Sequence, residues 1–492
     1  MTDAVVRTRY GSLRGTAEPG AVRYMGVPYA APPIGERRWQ VPQPPLNWRG
    51  VRDALVPGAN APQIIRAFPG LDVTPLVGNG WQPGDDFLTA NIWTPPGSAG
   101  GLPVLVFIHG GAFVGGSSDA AVHAGTHFAR AGIVYVAINY RLGIEGFLPI
   151  PGVPTNLGLR DQIAALEWVR DNIAEFGGDP GKVTVAGESA GGMSIANLLA
   201  SPLAGGLIKR AIVQSGHGSM VRPVEIAQRV VDAAAAHLQV PATWAGFGQC
   251  STAQCAAAVY AVSRPEVRMD FRDDSGWDPA YGLCRFLPVY GDEVLPLHPL
   301  DALAKGFGSE VDLLIGTNRE EMNIYLVPTG VRAGVNAAAA TAMLAASAPC
   351  AAELLRAYGL ADAKRPGDAL CTAMTDLVFR LPARRFAAAH RGRTHLYEFA
   401  WRSPACGGEL GACHGLELPF VFNTLATCRG PAGLVGENPP EEMAQRIHGI
   451  WVDAVTRGHF AWPEYAEGTE QCLMLDSGAT VRDEPMPAAA FV

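Results

Sequence analysis

Five consecutive residues, Gly187, Glu188, Ser189, Ala190 and Gly191, form a G-x-S-x-G pattern. A β-branched run, Val183 to Ala186, precedes it, and a small-residue stretch, Ala190 to Ala200, follows. This context predicts a strand, a tight turn and a helix, with Ser189 at the turn in a strained conformation and its hydroxyl aimed into a cleft. Positions two away on either side of the serine crowd each other there, which favours glycine at both. The helix N-terminus presents backbone N–H groups to developing negative charge. The chemistry open to such a serine is nucleophilic attack on an acyl carbon.

A serine hydroxyl attacks poorly until a base takes its proton. The expected base is a histidine held by a carboxylate, in chain order serine, acid, histidine. Among eleven histidines, His414 lies between small neighbours in Gly411-Ala412-Cys413-His414-Gly415, just after a predicted strand. On local sequence His395 and His448 compete, each with a structural role as its plainer reading. For the acid, Glu320 and Glu321 follow the strand-like run Val311 to Ile315, and a carboxylate at the C-terminal end of a parallel strand is well placed for catalysis. This argument does not separate the two. The glycine-rich loop His109 to Phe113 follows the run Val104 to Ile108. Its backbone can turn N–H groups towards the oxygen of a tetrahedral intermediate, so Gly111, Ala112 and Ala190 form the expected oxyanion hole.

These groups need a framework. Apolar runs at Val104 to Ile108, Ile133 to Tyr140, Val183 to Ala186, Ala211 to Gln214, Val311 to Thr317 and His395 to Ala400 predict strands. Helices are expected at Asp161 to Phe176, where apolar residues recur near period 3.6, at Ala190 to Ala200 and at Glu441 to Thr456. Continuous apolar strands alternating with helices predict a mostly parallel sheet covered on both faces. Short strands at Val5 to Thr8, Ser12 to Gly15 and Arg23 to Tyr24 predict a small antiparallel start. Residues 28–100, rich in Pro and Gly, read as long ordered loops. The Ala-rich stretch 335–390 reads as helices outside the sheet, a cap-like region of roughly 325–392. Nothing resembles a linker, so one domain is expected over 1–492.

The 492 residues are 48% hydrophobic and 17% charged, which suits a large core. The net charge of -8 and the lack of a Lys/Arg cluster argue against nucleic-acid binding. The pairs Arg37-Arg38 and Arg384-Arg385 read as solvated surface. The first residues lack the pattern of a signal peptide, and no run is long enough to span a membrane. Nine cysteines, an odd count without an export signal, predict free thiols and a cytoplasmic protein. Cys250 with Cys255, and Cys406 with Cys413, are close enough in sequence to pair if oxidised. No Cys/His spacing suggests zinc.

The chain resembles the type-B carboxylesterases, a family that includes the cholinesterases and bacterial ester hydrolases. The likeness is carried by Tyr24-Met25-Gly26-Val27-Pro28-Tyr29-Ala30, by Asn139-Tyr140-Arg141-Leu142-Gly143, by Phe176-Gly177-Gly178-Asp179-Pro180 and by the serine pentapeptide itself. The resemblance implies an α/β-hydrolase fold: a mostly parallel central sheet with helices on both faces, a small antiparallel N-terminal sheet and a helical cap insertion. It implies a serine carboxylesterase with Ser189 as nucleophile, Glu321 as acid, His414 as base and Gly111, Ala112 and Ala190 around the oxyanion. No metal or organic cofactor is needed, and the expected partner is a small-molecule ester, with neither nucleic acid nor membrane. Ser194 and Ser215 match supporting positions. Phe113, His217, Met220 and Phe286 are candidate pocket residues, with Trp81, Phe271 and Tyr325 beside them. Carbamate, amide or lactone hydrolysis could use the same groups. A non-catalytic binding module of the cholinesterase type is the rival of another class. Phe87 stands where the family has an early cysteine. Ala112 stands where it has a third glycine, which should narrow the space above the oxyanion and disfavour tertiary-alcohol esters. Glu145 stands where it has an aromatic, with surface exposure as the expected explanation.

Overall fold

The apolar runs become the inner strands of one large sheet in a computed structural model that describes residues 4–362, 364–466 and 468–492. In chain order the strands are β1 Ala4–Arg7, β2 Ser12–Glu18, β3 Ala21–Pro28, β4 Val51–Asp53, β5 Thr89–Thr94, β6 Leu102–Ile108, β7 Val134–Ile138, β8 Gly178–Glu188, β9 Arg210–Gln214, β10 Arg222–Pro223, β11 Val289–Tyr290, β12 Asp312–Asn318, β13 Thr394–Phe399, β14 Gln471–Met474 and β15 Thr480–Arg482. The sheet runs β1-β2-β3-β5-β7-β6-β8-β9-β12-β13-β14-β15, with β4 against β2; β10 and β11 pair apart from it. Every pairing from β7 to β14 is parallel. The pairings β1–β2, β2–β3, β3–β5 and β5–β7 are antiparallel. The fold is an α/β-hydrolase architecture with a mixed, mostly parallel sheet.

Successive side chains of a strand point to opposite faces, and here both faces are dry. Val104, Val106 and Ile108 of β6 enter one core, while Leu105 and Phe107 enter the other. The first core is closed by helices Leu157–Asn172 and Ala190–Leu199, the second by Glu441–Arg457 through Ile447, Trp451 and Val455. Arg141 binds Asp161 of helix Leu157–Asn172 through two contacts of 2.6 and 2.8 Å, with both side chains fully buried. Losing either partner would strand a buried charge, at a cost of about 3–5 kcal/mol.

The expectation that residues 28–100 are loops needs correcting. Strand β5 lies within them, all six residues buried, between β3 and β7. Its threonines and asparagine disguise it, and two of the three find partners inside: Asn91 accepts from Gly26 N and donates to Ser118 Oγ, and Thr94 donates to Phe176 O. The short strand β14 and the edge strand β15 also lie outside the expected set. Between β12 and β13 the chain is helical, as the alanines predict, with helices Ala337–Ala345, Ala351–Ala357, Pro366–Thr375 and Leu381–Ala389. The two Arg pairs are not plain solvated surface. Arg384 is buried against Glu398 and Asp483, and Arg38 is bound to Glu145. No described helix is long and apolar enough to cross a membrane.

Candidate active site

Strand β8 ends at Glu188, helix Ala190–Leu199 begins two residues later, and Ser189 between them has φ 55° and ψ -124°. A residue other than glycine in such a region costs on the order of 1–3 kcal/mol and persists only when its surroundings force it. They do so here by backbone crowding. A Cβ on Gly187 would lie 2.7 Å from the Gly191 carbonyl carbon, and one on Gly191 would lie 2.0 Å from Ile108 O. Ser189 N donates to Gln214 O of β9 at 2.9 Å, and Ser189 O accepts from Met193 N at 2.7 Å. The serine is 8% exposed.

Strand β12 delivers the carboxylate. After Asn318 the chain turns, and Glu321 comes back beneath the strand end, 0% exposed. Its Oε1 accepts from Ser215 Oγ and Asn318 N, each at 2.7 Å. Its Oε2 lies 2.7 Å from His414 Nδ1. An ionised carboxylate only accepts, so Nδ1 carries the proton. Glu320, which local sequence could not distinguish from Glu321, faces away and binds Arg402 and Ala412 N. The other imidazole nitrogen, Nε2, faces the serine turn: it lies 3.1 Å from Oε1 of Glu188, the residue before Ser189. That contact is not an aligned hydrogen bond, and both atoms are buried with no other hydrogen-bond partner among the described residues. Nε2 is therefore available to a further group.

The ring sits among carboxylates. Burial opposes charge on His414, but Glu188 and Glu321 outweigh it and raise the ring to about 9. Burial, against the relief offered by His414, raises Glu188 to about 8. Burial also raises Glu417, whose oxygens accept from Asn318 Nδ2 at 2.6 Å and Gln214 Nε2 at 3.1 Å. Sequence reasoning passed over both Glu188 and Glu417. The signal for Glu188 was its place inside the pentapeptide.

The loop after β6 takes an unusual path: φ is 115° at Gly111, 55° at Ala112 and 61° at Phe113. A Cβ on Gly111 would lie 2.1 Å from Gly115 O, and one on Gly110 would lie 3.0 Å from the Ser189 Cβ, so this loop packs on the serine turn. Gln63 braces it, accepting from Gly116 N at 2.7 Å and donating to Gly116 O at 2.8 Å. Tyr140 OH donates to His109 O, and the two rings stack. Ala190 opens its helix, where the first N–H groups lack intrahelical partners.

The remaining candidates fall in several places. His395 packs on Phe460 and His448 on Phe128, in aromatic clusters. Ser194 donates to Ala190 O and accepts from Gln162. Phe113, His217, Met220 and Phe286 are all buried, with the Phe113 ring turned onto Phe147. Tyr325 and Phe379 stand against His414, at ring separations of 5.7 and 4.7 Å. Glu145 is not exposed as expected. It is buried and bound by Arg38 at 2.7 Å, so its charge is neutralised inside the protein. All nine cysteines are free thiols.

Comparison with known proteins gives the family and the fold. The profile of the Carboxylesterase family matches residues 2–488. The chain is 35% identical to a para-nitrobenzyl esterase of Bacillus subtilis, over 99% of this chain and 97% of that one. It is 32% identical to a phenmedipham hydrolase of Pseudarthrobacter oxydans, over 99% and 98%. Among solved structures, a thermophilic PNB esterase superposes with a TM-score of 0.83 at 32% identity, covering 98% of each chain. A Geobacillus stearothermophilus carboxylesterase does so at 0.82 and 31%, covering 99% of this chain and all of that one. This chain belongs to the carboxylesterase family and is a carboxylic ester hydrolase of the serine-hydrolase type.

Proposed function

We propose that Ser189 is the nucleophile of this esterase, His414 its general base and Glu321 the acid that orients the base. The observation that carries the reading is the 2.7 Å contact of His414 Nδ1 with a fully buried Glu321, which leaves Nε2 facing the serine turn. With Nδ1 protonated, Nε2 is the basic nitrogen. It takes the Ser189 proton as the oxygen attacks the ester carbonyl. Glu321 then stabilises the imidazolium. Backbone N–H groups of Gly111, Ala112 and Ala190 receive the oxyanion, each contributing on the order of 3 kcal/mol to the transition state. His414 hands its proton to the leaving alcohol, and water, activated by the same ring, cleaves the acyl-serine.

Ser189→Ala and His414→Gln should each leave only residual turnover. Mass spectrometry of enzyme stopped during turnover of a 4-nitrophenyl ester should find the acyl group on the peptide holding Ser189. An acyl adduct elsewhere, or full activity in Ser189→Ala, overturns the assignment. para-Nitrobenzyl esters are the first substrates to try, given the relative of that name. A matched series of esters, carbamates and anilides reads out the preferred leaving group. We also infer a small-molecule substrate and a cytoplasmic setting, the latter supported by nine unpaired thiols.

A further inference from the structure

Helices Pro366–Thr375 and Leu381–Ala389 are joined without a break by a π turn, Asp376–Arg380. A π turn carries one residue more per hydrogen-bonded ring than the α-helix. It turns side chains out of the helical register and tends to occur where function needs it. This one is held on its outer side: Asp376 accepts from Tyr358 OH at 2.7 Å and from Arg380 at 2.6 Å, and Arg380 donates to Glu398 at 2.7 Å. On its inner side it meets three segments of the proposed machinery. The Phe379 ring lies 4.7 Å from the His414 ring, tilted by 40°. Val378 O accepts from His217 Nε2 at 2.7 Å, and His217 lies two residues after Ser215, whose hydroxyl binds Glu321. Thr375 Oγ1, at the start of the turn, accepts from Met322 N at 3.1 Å, next to Glu321 itself.

We propose that this π turn is the element that positions the base and its acid, and that Phe379 is a positioning residue fixing the plane of the His414 ring. The proposal rests on the reading of His414 as the base. One hydrogen bond at Nδ1 holds the ring to Glu321 but leaves it free to swing about that bond. Nε2 has a competing partner in Glu188, 3.1 Å away, which draws a charged ring towards itself. A rigid aromatic wall beside the imidazole limits the swing, and the extra residue of the π turn places that wall. In the sequence Asp376-Leu377-Val378-Phe379, a regular α-helical path would rotate Phe379 by about 100° per residue removed and carry it off the imidazole.

The test compares Phe379→Ala, Phe379→Leu and His414→Gln in the full chain, with 4-nitrophenyl esters of two acyl lengths. In Phe379→Ala, kcat should fall roughly 100-fold, the scale of a 1 Å misplacement, with KM within about 3-fold of the parent for both esters. The acid limb of kcat should move to higher pH as the freed ring settles on Glu188. The low-field proton resonance of the Nδ1–H should broaden. Phe379→Leu, which restores most of the volume, should recover part of kcat and serves if the alanine variant does not fold. A change confined to KM would make Phe379 a substrate wall and overturn the proposal, as would an unmoved pH limb. Full activity in His414→Gln would instead remove the base assignment. An inactive His414→Gln beside a normal Phe379→Ala would leave that assignment standing and sink the positioning role alone.

Discussion

Oε1 of Glu188 and Nε2 of His414 lie 3.1 Å apart, so the residue beside the proposed nucleophile competes with it for the proposed base. A carboxylate this close favours the imidazolium. The ring must be neutral to accept a proton, so the acid limb of kcat/KM should reflect His414 coupled to Glu188. In Glu188→Gln the anion is gone and the shape is kept. The neutral ring then survives to lower pH, and the limb should move down by roughly 1 unit. A pH–rate profile from 5 to 10 checks this, and a limb that stays put or rises counts against the coupling.

Gln63 holds the proposed oxyanion loop by a reciprocal pair of hydrogen bonds to Gly116. Its hydrogen bonds among the described residues go to Ala61 and Gly116, not to the serine or the base. Its loss should loosen the N–H groups of Gly111 and Ala112 without removing them. Gln63→Ala should therefore lower kcat about 10-fold, less than the 100-fold or more lost with a whole oxyanion donor, and leave KM nearly unchanged. Steady-state kinetics decide it; a KM effect alone would place Gln63 in the binding site instead.

Much of this was legible in the sequence, for reasons that differ by residue. The serine turn could be read because its sterics are local: Gly187, Ser189 and Gly191 fall within five residues. The inner strands could be read because burial on both faces leaves unbroken apolar runs. The choice between Glu320 and Glu321 could not be made from local pattern. It depends on which side of a turn meets Ser215 and His414, residues about a hundred positions away in opposite directions. β5 was hidden because Asn91 and Thr94 break its apolar run, and their partners Gly26, Ser118 and Phe176 are all remote in sequence. Arg384 and Glu145 read as surface because charge usually is; their partners Glu398 and Arg38 become visible only in the fold.

Ala112 has φ 55°, a conformation that glycine adopts freely and alanine does not. Ala112→Gly removes that strain, about 1–2 kcal/mol, but frees the unfolded chain by about 0.5–1 kcal/mol. The two nearly offset, so Tm should change little. Removing the methyl opens space above the expected oxyanion hole, so hydrolysis of tertiary-alcohol esters should rise while primary esters react as before. An unchanged ratio of the two rates would show that the methyl is not what limits bulky alcohols.

Glu398 closes β13 and takes charge-assisted hydrogen bonds from three guanidinium groups, Arg319 at 2.7 Å, Arg380 at 2.7 Å and Arg384 at 2.9 Å. Burial alone would raise its carboxyl, but Arg380, Arg384 and Arg319 together hold it down to about 2. A carboxylate depressed in the folded state contributes stability above its unfolded value near 4.5, and that contribution is lost as pH falls from there towards 2. The shift corresponds to on the order of 3 kcal/mol. Glu398→Gln removes the dependence and leaves buried Arg384 with Asp483 as its remaining carboxylate, beside its hydrogen bond to Thr317. The variant should lose about 3 kcal/mol at pH 7, and the gap to the parent should close as pH falls below 4.5. Urea melts at pH 7, 5, 4 and 3 measure both quantities. A gap that is constant across that series would mean the carboxylate is not what the three arginines stabilise.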